Sequence, residues 1–279
     1  MEITPPLGVE LAGYGYYLNR RADRVLDALW ARAVSVCAGG ARCLIVSCDL
    51  VGLSETVVER VREALKKAHG LADGQIMLVC THTHTGPAVG RLEGCGEADP
   101  DYEAALPDLI VGAAERALAD EREVASFARS EQAILPVGYN RARTGGPEDN
   151  RVRGALLQRR GADPIALVSY ACHPVTLGRA TAVSADYPGA VCALLASRGM
   201  RAVFLNGLCG DIDPVCNRVA WGAGTRETIV EYAGRIVDGF ARGLVSEPIP
   251  ALRSARFPLE LRTEWVDRAF AERVAARQA

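Results

Sequence analysis

The sequence lacks any apolar run that reaches the ~18 to 20 residues needed to cross a bilayer. Its first residues, MEITPPLGVE, have neither the basic nor the apolar region of a secretory signal. An excess of one charge is also missing, because 32 basic residues nearly balance 34 acidic ones. We therefore predict no membrane insertion and no nucleic-acid partner.

CxxC pairs are absent among the nine cysteines. Most of the cysteines lie inside apolar runs, as do Cys43, Cys48, Cys80 and Cys192, and cysteine in such runs is typical of a protein core. An odd number of cysteines without paired spacing does not suit a disulfide scaffold. We therefore predict a reducing, cytoplasmic location.

What the sequence does contain is an alternation of apolar runs with helical periodicity. Strands are predicted over 31–36, 43–49, 76–80, 154–158, 165–171, 202–206 and 253–261, the first two as a hairpin and the third covered on both faces. Helices are predicted over 55–70, 106–121 (with Pro107 in the first turn), 186–199, 226–244 and 263–279. We predict a single α/β domain over residues 1–279, a layered structure with a largely parallel or mixed sheet flanked by helices.

Three of the four histidines follow predicted strands. His82 and His84 stand in CTHTHTGP directly after one apolar run, and His173 follows another. In open α/β sheets, ligands collect beyond the carboxyl ends of the strands. Neutral imidazole is a preferred zinc ligand, and histidines two apart in an extended chain point to the same side. The pattern favours a metal site, and hydrogen-bonded loop histidines are the alternative.

Carboxylates also follow the predicted strands. Asp49 has the best claim to a place in the site after the histidines, because a buried carboxylate needs a cation or a donor. The alternatives are a helix cap for Asp186 and turn-bracing roles for Asp211 and Asp213. Other local patterns have simpler interpretations. His69 lies at a helix end, and NRRADR (19–24) is a solvated face or loop. For GYGYY (13–17) we favour a packed loop, and a pocket lining is the alternative.

The sequence contains an ordered series of motifs: ITPPLGVELAGYG, VSCDLVGL, THTHTGP, GYNRAR, ACHPVTLG, SADYPG and NGLCGDIDP. This series resembles the N-terminal catalytic region of the neutral/alkaline, non-lysosomal ceramidase family. The similarity covers roughly residues 2–217, leaving 218–279 as C-terminal helices and a strand. The resemblance implies a zinc amidase, with one Zn²⁺ per chain bound by His82 and His173. It further implies that His84 contacts the substrate or the reacting oxygen and that Arg141 holds a polar head or carbonyl.

The sequence departs from the family in two places. Asp213 in GDIDP stands where the family's GDxSP motif has a serine proposed to act at the scissile amide. The family's remaining zinc ligands, a glutamate and a tyrosine, lie downstream of where this sequence stops, and we interpret Glu231 and Tyr232 as ordinary helix residues. The sequence fits a truncated or compact member, or one that completes its site with Asp49, Asp186 or Asp211.

These observations predict a zinc-dependent hydrolase that cleaves an N-acyl or peptide-like amide by metal-activated water, acting on a small molecule. The predicted ligands are His82, His173 and Asp49, and the predicted catalytic residues are His84, Asp213 and Arg141. A thiol nucleophile at Cys172 or Cys209 is an alternative. A non-catalytic or partner-completed protein with an incomplete metal site is another. The sequence leaves the substrate and a homo-oligomeric state open.

Overall fold

A computed structural model describes residues 1–15, 19–90, 94–260 and 268–269 of the chain. Two sheets form the centre. Their strands are β2 (Ala31–Ala38), β3 (Ala41–Cys48), β4 (Ile76–Cys80), β5 (Val124–Ala133), β7 (Arg151–Arg159), β8 (Ala162–Tyr170), β10 (Arg201–Asn206) and β12 (Leu244–Glu247). The three-stranded sheet has the order β2-β3-β4, and the five-stranded sheet has the order β10-β8-β7-β5-β12.

Two short strand pairs supplement these sheets. They are the parallel pair β1 (Arg24–Val25) and β9 (Ala182–Val183), and the antiparallel pair β6 (Gly138–Asn140) and β11 (Ile212–Pro214). Within the two larger sheets only β3–β4 and β8–β10 are parallel. The predicted layered α/β architecture is confirmed. We had predicted a largely parallel or a mixed sheet, and both larger sheets are mixed.

Helices cover the outer face of each sheet. The helices are α1 (Glu55–His69), α2 (Pro100–Ala119), α3 (Asp186–Ser197) and α4 (Arg226–Arg242). One hydrophobic core joins α1 and α2 to the three-stranded sheet, and a second joins α3 and α4 to the five-stranded sheet. The sheets meet at β10, where the Ser47 hydroxyl donates to the Phe204 carbonyl at 2.7 Å. The layers therefore run helices, sheet, sheet, helices.

The predicted hairpin over 31–49 and the strand over 76–80 are confirmed as β2, β3 and β4. Complete cover of the third strand is a misprediction, because β4 is an edge strand and Met77 is 46% exposed. The second helix begins at Pro100, with Asp99 accepting from the Tyr102 amide (2.9 Å), and it continues through Pro107. The Asp99-Pro100 pair is the sequence signal for the start of this helix, and our prediction overlooked it.

The end of the chain differs from the prediction as well. Residues 253–260 form no strand, and a four-residue strand, β12, pairs with β5 instead. The predicted helix over 263–279 lies outside the described residues except for 268–269. Among the described residues, no helix has the length and apolar character needed to span a membrane.

Candidate metal centre

The three strand-end histidines meet in one group. His82 and His84 follow β4, and His173 follows β8, so the group forms where the carboxyl ends of strands from the two sheets converge. One potential ligand atom from each histidine lies within 4.8 Å of the others. In the described part of the chain this is the one such group of three or more histidine, cysteine, aspartate or glutamate residues. The fold thus brings together the residues that the motif spacing favoured.

Two of the rings are held by backbone carbonyls. The Nδ1–H of His82 donates to the Val51 oxygen at 2.7 Å, and the Nδ1–H of His173 donates to the Cys209 oxygen at 2.5 Å. A carbonyl oxygen only accepts, so these bonds fix the proton on Nδ1 and leave Nε2 with its lone pair. His82 also adopts a left-handed backbone conformation (φ 71°), which is uncommon outside glycine. Both rings are therefore oriented for ligation through Nε2.

The third ring has no hydrogen-bond partner on either nitrogen. Both Nδ1 and Nε2 of His84 are buried and unpartnered among the described residues. Burial, followed by the neighbouring His82 and His173, lowers the pKa of His84 well below its ordinary value. Burial also lowers the pKa of His173. A neutral imidazole has one lone pair available to a metal ion, and such an ion would give one of the two unpartnered His84 nitrogens a partner.

The backbone of His84 is held by a buried arginine. Arg20 is 7% exposed, and its guanidinium donates to the carbonyl oxygens of His84 (2.7 Å), Ala12 (2.7 Å) and Ala180 (2.8 Å). The interpretation of NRRADR as a solvated face is therefore wrong for Arg20, whereas the charged residues Arg21, Asp23 and Arg24 are exposed as expected. The guanidinium carbon of Arg20 also lies 4.6 Å from the centre of the Tyr14 ring. Arg20 thus joins three separate chain segments behind the histidine group.

Tyr14 and Gly13 form part of the wall beside His84. The Tyr14 ring stands edge-on at 5.0 Å from the His84 ring, and Trp221 packs on Tyr14 at the same centroid distance. Of the two interpretations of GYGYY, a pocket lining fits the described part, since Tyr14 packs against the site; Tyr16 and Tyr17 lie outside the described residues. The contacts of Gly13 and Arg20 with His84 were not predicted, although both residues stand in motifs singled out from the sequence, GYGYY and NRRADR.

Asp49 lies outside the histidine group. Its carboxylate accepts from Arg32 at 2.5 Å and from the Trp30 amide at 3.0 Å, and it is fully buried. The expectation that a buried carboxylate at this strand end needs a cation holds, but the cation is an arginine of β2. The predicted role of Asp49 as a metal ligand is corrected to that of an ion-pair partner.

Asp186 and Asp211 also have structural partners. Asp186 accepts from the Thr176 amide (2.9 Å), the Thr176 hydroxyl (2.7 Å) and the Tyr187 amide (2.6 Å), and so it fixes the loop that follows His173. Burial raises the pKa of Asp186 to about 6. Asp211 accepts from the Asn140 side chain at 2.7 Å. Neither completes the histidine group.

The fold resembles that of solved ceramidases. Neutral ceramidase from Pseudomonas aeruginosa matches with a TM-score of 0.75 at 20% identity, over 86% of this chain and 43% of that chain. A ceramidase complexed with C2 matches with a TM-score of 0.75 at 21% identity, over 86% of this chain and 42% of that chain. The fold is that of a neutral ceramidase. No family model and no curated protein matches the sequence.

This chain spans less than half the length of those two ceramidases. The sequence departs from the ceramidase motifs at Asp213 and in the region of Glu231 and Tyr232, and in the structure each of these residues has a hydrogen-bond or ion-pair partner. Arg141 binds Oδ1 of the buried Asp213 at 3.2 Å and the Gly210 carbonyl at 2.9 Å. Glu231 pairs with Arg235, and the Tyr232 hydroxyl accepts from the Cys216 amide at 3.0 Å, so both are helix residues of α4 as expected.

Asp213 and Arg141 lie close enough to influence the histidines. The charge of Arg141 lowers the pKa of His173, and the charge of Asp213 raises it. The two cysteines near the motifs are poorer candidates for a catalytic group, because burial raises the pKa of the Cys172 thiol and of the Cys209 thiol. A thiol with a raised pKa is a poor nucleophile at neutral pH, so the geometry favours the histidines over the thiols.

Proposed function

We propose that this chain is a zinc-dependent hydrolase that cleaves the amide bond of a small N-acyl or peptide-like substrate. The observation that carries the proposal is the group of His82, His84 and His173, whose ligand atoms lie within 4.8 Å of one another. The ceramidase fold supports the same reaction class, because the ceramidase resemblance implies amide cleavage.

The ligand set we propose is Nε2 of His82, Nε2 of His173 and one ring nitrogen of His84. A catalytic zinc site has three protein ligands and one open position. His84 takes the third position, which we had predicted for Asp49, because Asp49 is bound to Arg32 and neither nitrogen of His84 has a partner among the described residues. When bound, zinc supplies Lewis acidity and lowers the pKa of water towards ~7, so that a nucleophile exists at neutral pH.

Asp213 and Arg141 provide the acid–base chemistry in this proposal. Arg141 engages Oδ1 of Asp213, which leaves Oδ2 to accept the proton of the attacking water. Water oxygen bonds to the carbonyl carbon, the carbon–nitrogen bond breaks, and Oδ2 returns the proton to the leaving nitrogen. The guanidinium of Arg141 lies 3.2 Å from this carboxylate, and in this proposal its positive charge also stabilises the substrate oxygen that becomes negative.

The test is metal analysis of the purified chain followed by a screen of N-acyl substrates. We expect close to one zinc per chain, and we expect His82→Ala, His84→Ala and His173→Ala each to lose it. His69→Ala is the matched control, because His69 is exposed and lies at the end of α1 beside Glu115. Equal zinc in all four variants and the parent would refute the metal site.

A second candidate is a non-catalytic or partner-completed protein. The observation in its favour is that the chain spans 43% of the Pseudomonas ceramidase and that the histidine group of the described residues includes no carboxylate. Stoichiometric zinc without hydrolysis of any N-acyl substrate would support this candidate. Hydrolysis that is lost with chelator and restored by zinc would reject it.

A further inference from the structure

Threonines alternate with the histidines in the segment that follows β4. Thr83 lies between His82 and His84, and Thr85 comes directly after them. Both of these threonines are buried, with exposed fractions of 0% and 2%. A hydroxyl in the protein interior needs a hydrogen-bond partner, because leaving it unpaired costs free energy. The partners of the two hydroxyls therefore show what holds the histidine segment in place.

Both hydroxyls bind one carbonyl oxygen. Thr83 donates to the Ser184 oxygen at 2.8 Å, and Thr85 donates to the same oxygen at 3.0 Å. A carbonyl oxygen has two lone pairs and can accept both bonds. The Ser184 amide in turn donates to the backbone oxygen of Thr85 at 3.0 Å. The histidine segment is thus bound to a residue that lies 101 positions after Thr83 in the chain.

Ser184 is itself fixed by a carboxylate from another part of the chain. Its hydroxyl donates to Oδ2 of Asp27 at 2.7 Å and accepts from the Asp186 amide at 2.9 Å. The Ala185 amide donates to Oδ1 of Asp27 at 2.7 Å. Asp27 therefore holds the two residues that precede α3, and the carbonyl that binds the two threonines has a defined position.

The same segment also reaches the loop that carries His173. Asp186 lies two residues after Ser184, and its carboxylate accepts from the amide and the hydroxyl of Thr176, three residues after His173. A buried network of this kind is rigid when every member has its partners. Residues 184–186 therefore lie between the two histidine segments and bind both.

We propose that Thr83 and Thr85 are positioning residues of the metal centre. Their bonds to the Ser184 oxygen hold the neighbouring imidazoles where the three histidines can bind one ion. The left-handed backbone of His82 (φ 71°) requires such support, because this conformation is costly and persists only where the surrounding structure fixes it. This inference rests on the proposed metal site and adds to it residues that act through the histidines.

The test is the zinc affinity of the folded chain, measured by competition titration. Valine has the shape of threonine without its hydroxyl, so we expect Thr83→Val to bind zinc about tenfold more weakly. Thr83→Ser keeps the hydroxyl and should bind zinc as the parent does. With Co²⁺ in place of zinc, the visible absorption spectrum reports the ligand geometry. This spectrum should change in Thr83→Val and stay that of the parent in Thr83→Ser.

Ser130→Ala is the matched control. Ser130 is 1% exposed, and its hydroxyl donates to the Phe240 oxygen at 2.7 Å. The variant removes the same kind of buried bond between β5 and α4, neither of which carries a histidine of the group. We expect its melting temperature to fall, because a buried acceptor loses its donor, while its zinc affinity and Co²⁺ spectrum stay those of the parent.

Two results would overturn this inference and leave the zinc site standing. The first is equal zinc affinity in Thr83→Val and the parent, which would show that the hydroxyl does not position the histidines. The second is an equal loss of zinc affinity in Ser130→Ala, which would show that the effect follows general stability. If Thr83→Val does not fold, Thr85→Val replaces it, since both hydroxyls bind the same oxygen. A parent that binds no zinc would refute the proposed function and this inference together.

Discussion

Gly13 lies directly against the imidazole of His84. A Cβ at position 13 would stand 2.4 Å from Cγ and 2.5 Å from Nδ1 of that ring, closer than real Cβ contacts come. The φ of Gly13 is 101°, a backbone conformation that side chains rarely adopt. The glycine therefore allows the His84 ring to occupy its place in the group.

The first prediction is that Gly13→Ala weakens zinc binding about tenfold or more, because overpacking of ~1 to 3 kcal/mol must displace the His84 ring. Zinc affinity from competition titration is the measurement. Gly8→Ala is the matched control, since Gly8 has a similar φ of 92° but nothing within 4 Å of its added Cβ. Equal zinc affinity in the two variants would show that the contact does not position the ring.

The second prediction concerns Arg141. Arg141→Lys should lose ~1.5 to 3 kcal/mol of transition-state stabilisation, because lysine lacks the planar fork that binds Asp213 and Gly210 together. The measurement is kcat/KM with an N-acyl substrate from the screen. The exposed neighbour Arg143→Lys is the control. An unchanged kcat/KM in Arg141→Lys would show that Arg141 is an ordinary surface charge with no role in the reaction.

The third prediction is a pH dependence of stability caused by Asp186. Its folded pKa of about 6 lies above the ordinary value of 3.8, so its stabilising contribution is complete below pH 3.8 and is lost as pH rises through 6. Relative to Asp186→Asn, the free energy of unfolding of the parent should fall by about 3 kcal/mol over this range, at ~1.36 kcal/mol per pKa unit.

Urea unfolding of both metal-free proteins between pH 3.5 and 7.5 measures this difference. Only the change with pH tests the raised pKa. The asparagine side chain of Asp186→Asn also alters the hydrogen bonds with Thr176, but this shifts the free energy of unfolding by the same amount at every pH. Parallel stability curves across the whole range would contradict the raised pKa.

The fourth prediction is direct hydrolysis without an acyl-enzyme. A single turnover with enzyme in excess, in water labelled with heavy oxygen, should place the label in the released acid and leave the protein unlabelled. Peptide mass analysis of the segment that contains Asp213 is the measurement. Label in Asp213 would identify this carboxylate as the nucleophile and would exclude its role as the base.

The sequence by itself determined many of the strands and helices and which histidines follow strands. Apolar runs and turn residues are local signals, so the strands at 31–49, 76–80 and 202–206 and the helices that begin at Glu55, Asp186 and Arg226 were predictable. His82, His84 and His173 could be singled out because ligands collect beyond strand ends.

The tertiary structure alone decided which charges pair. The sequence predicted the hairpin of β2 and β3, but it did not state that the Asp49 side chain pairs with Arg32 of β2 and not with a metal at the histidines. The burial of Arg20 in a basic cluster depends on carbonyls 8, 64 and 160 residues away in the chain. The approach of Gly13 to His84 is equally non-local. Local periodicity fixes where a residue stands on its own element, but only packing between distant elements fixes what that residue touches.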